Sequence, residues 1–108
     1  NHQILDDFLV HVGDIKFDSK KEANRWIELQ LLERAGEISG LQRQVKIDLM
    51  GQHGPLLTRT GRKMRFTVDF AYTEKGAVIH EDVKGYATRD YEVRVAVARA
   101  MGLKVKET

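Results

Sequence analysis

The sequence contains no cysteine, a single proline and few aromatic residues. Without cysteine there is no disulfide framework, no thiolate metal site and no thiol nucleophile, a composition that fits a reducing cytoplasm. Aromatic side chains make up 7% of the chain, too few for the stacking platform on which an OB-type module lays single-stranded bases. No apolar run approaches the roughly 20 residues that a bilayer span needs, so no membrane association is expected, and the first residues show no basic-then-apolar leader. His2, His11, His53 and His80 are scattered, with no His-x-x-x-His or His-Glu-x-x-His spacing, and neither a glycine-rich phosphate loop nor an elbow serine occurs. Charge of one sign is also lacking: 18 Lys and Arg stand against 16 Asp and Glu, a formal net of +2. That excess is too small to argue for a polyanionic partner by itself.

What remains is an ordinary globular composition in 108 residues, enough for one core and too short for two, so residues 1–108 are read as a single domain. Residues 1–9 give no firm pattern and suit a frayed end or a short helix. Val10-His11-Val12 and Ile15-Lys16-Phe17 around Gly13-Asp14 read as a small hairpin. Ser19-Lys20-Lys21-Glu22 fits a capping box, and Ala23, Trp26, Ile27, Gln30 and Leu31 follow one helical face to a stop at Gly36. Residues 38–44 read as a connection, and 45–49 alternate as a strand. Residues 51–61, holding the only proline and several Gly and Thr, read as a flexible loop leading into Arg62-Lys63-Met64-Arg65. Thr88 caps a second helix running to about Met101 with Tyr91, Val95, Val97 and Ala98 inward, Gly102 ends it, and 103–105 add a last strand.

The centre of the chain is residues 65–85, RFTVDFAYTEKGAVIHEDVKG. Phe66, Val68, Phe70 and Tyr72 alternate with Thr67, Asp69 and Ala71, Glu74-Lys75-Gly76 supplies a turn, and 77–84 run as a second strand. Side chains two apart share a face, so His80, Asp82 and Lys84 point one way and Ile79, Glu81 and Val83 the other. Pairing the two strands as a hairpin brings Asp69 towards Asp82, with Lys84 beside them. Two carboxylates and an ammonium on a strand pair suit a metal-dependent phosphodiesterase. They also suit a plain cross-strand ion pair. Against that plainer reading, a carboxylate between Val68 and Phe70 is costly to bury without a cation or donors.

Asp69 followed by Asp82-Val83-Lys84 resembles the PD-(D/E)XK nuclease signature, with Val68 where the signature's name puts Pro. The surrounding FDSKKEANRWIELQLLERAGEI, VDFAY and EDVKG are similar to a family of short phage-encoded endonuclease-like proteins related to Holliday-junction resolvases, long catalogued as a domain of unknown function. The resemblance covers roughly residues 10–105. It implies an α/β fold, with a small mixed central sheet flanked by helices in the αβββαβ order of a restriction-endonuclease-like core, preceded here by the N-terminal hairpin. It also implies a divalent-metal-dependent endodeoxyribonuclease acting on DNA, branched DNA included, in the cytoplasm of a bacterial host, as a homodimer where two strands are cut symmetrically.

On that resemblance Asp69 and Asp82 would ligate Mg2+ or Mn2+, with the Val83 carbonyl a third oxygen. Hard oxygen donors suit either ion. Lys84 would orient a water or stabilise developing charge. Glu22 has two readings: a helix cap, or the first-helix glutamate that many such nucleases aim at the metal. Gln44 and Lys46 are either contacts to phosphate or metal-bound water, or an exposed strand edge. Arg59, Arg62, Lys63 and Arg65 fall within seven residues that contain no acid and form either a basic rim or a solvated loop. Arg89 at the start of the second helix joins the nucleic-acid set, and Tyr86 either stacks and contacts phosphate or packs in the core. Glu81 should face away from the site as a structural or solvated residue. His80, on the face of Asp82, touches substrate or water or simply packs. The alternative function is a non-catalytic nucleic-acid-binding module on the same fold.

Overall fold

The computed structural model describes the backbone of residues 5–6, 9–83 and 88–108, and the side chains of 11–83 and 88–108. The chain is mixed α/β: two helices, a four-stranded mixed sheet and a small N-terminal sheet built around a hairpin. Strands β2 (Leu9–Val12) and β3 (Ile15–Phe17) pair through Val12↔Ile15 across the Gly13-Asp14 turn. The preceding residues hold a further strand, β1 (Leu5–Asp6), paired with β2, where a frayed end or short helix was expected. Backbone groups beside an open hairpin edge find their partners most directly as a third strand.

Helix α1 (Lys20–Arg34) begins at Ser19, whose hydroxyl accepts the Glu22 N–H at 3.1 Å. Its buried stripe matches the expected one at Ala23, Trp26 and Gln30 and departs from it at Ile27 and Leu31. Ala23, Leu29 and the half-buried Trp26 and Leu32 face inward, while Ile27 and Leu31 are 42% and 55% exposed. The inward face also carries Glu22 and Arg25, both held by polar partners on the sheet.

The main sheet runs in the order β4-β7-β8-β9. Strand β4 (Ser39–Asp48) begins six residues before the expected start at 45, because Leu41 and Arg43 already alternate inward and Ser39, Gln42 and Arg43 pair with the far end of β7 (Arg65–Glu74). A register shift between Ser39 and Gln42 hides that alternation in the sequence. Strand β8 (Ala77–Asp82) returns from β7 through Lys75 (φ 51°) and Gly76 (φ 78°), the paired positive φ angles of a type I′ turn. Helix α2 (Arg89–Ala100) then carries the chain to β9 (Lys104–Glu107), which lies parallel to β8.

Residues 51–61 are not a loose loop. Strands β5 (Met50–Gly51) and β6 (Gly54–Pro55) pair, Leu57 bridges Lys63, and Leu56 exchanges backbone bonds with Leu49 and Met64. The turn beyond is closed by Thr58, whose N–H donates to the Arg62 carbonyl at 2.7 Å. Glycine and threonine here serve turns within a hydrogen-bonded arm.

Apolar packing falls into two clusters. One joins α1 to Phe17, Ile38, Phe70 and Tyr72, and the other joins Val95 and Ala98 of α2 to Leu49, Phe66 and Val68. Strand β7 passes through both, so Asp69 lies at the junction of the two cores. Among the described residues, no helix is long and apolar enough to cross a membrane.

Candidate active site

The β7·β8 register places Phe70 opposite Glu81, which sets Asp69 and Asp82 as the next rung of the ladder. At this rung the two strands hold each other through side chains. The Asp69 N–H donates to Asp82 Oδ1 at 3.1 Å, and the Val83 N–H donates to Asp69 Oδ2 at 2.8 Å. Each carboxylate is therefore positioned by backbone of the opposite strand. Asp82 is 7% exposed, and its own carbonyl accepts the Thr108 N–H.

Glu22 comes to the same place from α1. It is 8% exposed, and its Oε2 accepts a 3.4 Å hydrogen bond from the Gln44 amide, which also donates to Asp69 Oδ1 at 3.5 Å. Ser19 makes its half of the capping box, whereas the Glu22 carboxylate has a partner on the sheet. Gln44 reaches both acids from a left-handed backbone, φ 51°. A non-glycine residue there carries strain of order 1–3 kcal/mol, of the kind that gathers at functional positions.

These carboxyls feel one another. Burial pushes Asp69 up to about 7, and the charges of Asp82 and Glu22 add to the rise against the Val83 hydrogen bond. Glu22 is likewise raised, first by burial, then by Asp18 and Asp82, with Arg43 working the other way. The cluster thus concentrates negative charge, offset in part at Glu22 by Arg43. Two carboxylates with a nearby carbonyl suit a hard cation that keeps several of its waters. Asp69, Asp82 and the Val83 carbonyl would hold such an ion. Glu22 stands close enough to act on the same charge. Among the described residues, however, no three His, Cys, Asp or Glu side chains are grouped so as to hold a metal ion. Any such ion would rest on two carboxylates, the carbonyl and water.

Arg43 escaped the sequence reading. Its guanidinium lies over the rings of Phe17 (4.7 Å to the centroid) and Trp26 (5.6 Å), and its buried Nε has no hydrogen-bond partner among the described residues. Only its position beside Gln44 in a strand extended by six residues could have pointed to it. Glu81 faces away from the cluster and is wholly buried rather than solvated. Arg25 grips both its oxygens, Tyr72 donates to Oε1, and Thr108 Oγ1 donates to Oε2 at 3.2 Å. Burial alone would raise the Glu81 carboxyl, but Arg25 and Tyr72 outweigh it and hold it below the usual carboxylate range. The His80 Nδ1 is buried without a partner among the described residues, and burial lowers its pKa.

The remaining candidates are spread more widely. Lys46, paired with Thr67, is exposed two residues beyond Gln44. Arg59, Arg62, Lys63 and Arg65 are all exposed on and around the β5–β6 arm. The basic run is not free of acid in space. Asp48 of β4 meets Arg65 Nε at 2.9 Å and Lys63 Nζ at 3.9 Å. Arg89 is exposed at the first turn of α2. Lys84 and Tyr86 lie outside the described residues.

Residues 8–108 match a family described as a protein of unknown function, DUF1064. No curated protein and no solved structure matches the chain.

Proposed function

We propose that this chain, which belongs to the DUF1064 family, is a divalent-metal-dependent deoxyribonuclease of PD-(D/E)XK type. Its substrates would be DNA intermediates of phage replication or recombination in a bacterial cytoplasm. The observation that carries this reading is the gathering of three acids from two strands and a helix: the Gln44 amide joins Glu22 to Asp69, and the Asp69 N–H joins Asp82. An ordinary cross-strand ion pair brings opposite charges together. This cluster gathers like charges and raises the pKa of Asp69, an arrangement that suits a cation site.

Magnesium or manganese bound there would relieve phosphate charge and lower the pKa of a bound water. The chain's own residues supply the rest. Asp69 and Asp82, fixed by each other's strands, hold the reacting centre. Gln44 locks Glu22 and Asp69 in register. Lys84, following Val83 in sequence, is the ammonium assigned to developing charge. A branched substrate follows from the resemblance to resolvases, and a homodimer would cut such a branch symmetrically.

A second reading, a non-catalytic nucleic-acid-binding module, is favoured by one observation: the described residues offer no ready-made metal cage. One experiment separates the two. Plasmid and four-way-junction DNA are incubated with Mg2+ or Mn2+ and either wild type or the Asp69→Ala, Asp82→Ala double variant. The nuclease reading expects cleavage by wild type and a loss of at least about 100-fold in the variant, the scale of removing a charge-stabilising group. Equal cleavage by both proteins would sink it. Salt-sensitive binding by wild type with no cleavage would establish the binding module.

A further inference from the structure

Arg43 is a cation beside the acidic cluster to which no role has yet been given. It precedes Gln44 on β4, and the Gln44 amide is what joins Glu22 to Asp69. The Arg43 guanidinium lies over two rings, Phe17 at 4.7 Å and Trp26 at 5.6 Å. Trp26 is itself stacked on Phe70, with centroids 5.8 Å apart and planes 11° from parallel, and Phe70 pairs with Arg43 across β4 and β7. Rings from β3 and α1 therefore seat the guanidinium, and the second ring is backed by β7.

Its charge is poorly matched for a half-buried group. Among the described residues Arg43 forms no ion pair and no hydrogen bond, and its Nε is buried. Glu22 feels the cation, which works against the rise of its pKa, yet Glu22 Oε2 is bonded to Gln44 instead. A buried donor without a partner destabilises the fold. Were the side chain there only to cover the rings, a methionine would do so without the charge. What remains is a planar fork of N–H donors, oriented by aromatic faces that use none of those donors, on the Glu22 side of the acids. Such a fork matches two oxygens of one phosphate.

We propose that Arg43 binds a phosphate of a nucleic-acid strand where that strand meets the cluster of Asp69, Asp82 and Glu22. This rests on the nuclease reading and adds to it a substrate-binding residue on the side of α1. The aromatic seat orients the guanidinium before the strand arrives, which lowers the ordering cost of binding.

The test is fluorescence anisotropy of a labelled duplex oligonucleotide in EDTA, across a salt series, with wild type, Arg43→Met and Arg43→Lys. Methionine keeps an unbranched stem over the rings and removes the charge, whereas lysine keeps the charge and removes the fork. The Met variant should bind roughly tenfold more weakly, with the slope of log affinity against log salt shallower by about one. The Lys variant should keep the wild-type slope and still bind more weakly. Wild-type affinity and slope in the Met variant would overturn the proposal. Weaker binding with an unchanged slope would overturn it too, by assigning the loss to the packing of α1 rather than to charge. Thermal unfolding shows whether the Met variant is folded. If it is not, the Lys variant decides, and wild-type affinity there overturns the proposal. Mn2+ calorimetry on the same proteins tests the plainer role of a countercharge to Glu22. Tighter metal binding by the Met variant, with unaltered DNA affinity, would establish that role instead. The nuclease reading is judged separately, by whether wild type cleaves and the Asp69→Ala, Asp82→Ala variant does not.

Discussion

Asp69 shows how one residue can cost stability at the site proposed to carry the chemistry. Its carboxyl is pushed up to about 7, by burial first and by Asp82 and Glu22 in addition. A carboxyl whose folded pKa is raised keeps its proton in the native state after the unfolded chain has lost its own. Native protein then binds more protons, and stability falls as pH rises from about 4 towards 7. Asp69→Asn should remove that part of the pH dependence. Near pH 7 it should raise the melting temperature by roughly 4–8 °C for each kcal/mol recovered, while abolishing cleavage. Adding Mn2+ should stabilise wild type increasingly as pH rises through 7, and leave the Asn variant unaffected. Differential scanning fluorimetry across pH 5–8, with and without Mn2+, reads both effects. A variant with the same pH slope as wild type would mean that Asp69 does not carry the charge.

At the scale of elements, α1 and Glu81 explain why part of the fold was legible and part was not. Strand β7 could be read because its inward side chains are apolar at period two, and its turn because Lys75-Gly76 takes the backbone such a hairpin needs. The inward face of α1 was legible at Ala23 and Trp26 but not at Arg25, and Ile27 and Leu31 were placed inward in error. A sequence reading gives charged residues to solvent, yet Arg25 is bound to Glu81 56 positions away. The first half of β4 was missed because its pattern sits in polar residues across a register shift. Asp69 and Asp82 were legible as a pair. The Gln44 link between Glu22 and Asp69 was not, because it depends on a left-handed residue that no pattern announces. The Arg25–Glu81 pair has a measurable consequence. Arg25→Met leaves a carboxylate buried without its cation, a change that costs about 3–5 kcal/mol. Replacing both partners, as Arg25→Met with Glu81→Leu, should recover most of that loss in urea denaturation. Because Glu81 is held below its ordinary value, its contribution is present above about pH 4.5 and lost as pH falls through the depressed folded pKa. Wild type should therefore be more acid-labile than the doubly replaced protein.

Across the whole molecule, charge is sorted rather than accumulated. A net of +2 conceals an acidic cluster at Asp69, Asp82 and Glu22 and a basic run on and around the β5–β6 arm. The arm is partly restrained by Asp48, which sits between Lys63 and Arg65. All three side chains are more than a third exposed, so these pairs contribute only about 0–1 kcal/mol to folding. Their larger effect is on the field the arm presents to a partner. Asp48→Asn should leave the melting temperature nearly unchanged while strengthening DNA binding several-fold and steepening its salt dependence, as two cations become available to phosphate. Neutralising Arg62 and Lys63 should do the opposite. Anisotropy titrations at several salt concentrations measure both. Weaker binding by Asp48→Asn would show that Asp48 orients Lys63 and Arg65 for phosphate rather than holding their charge in check, and would make the acid part of the interface.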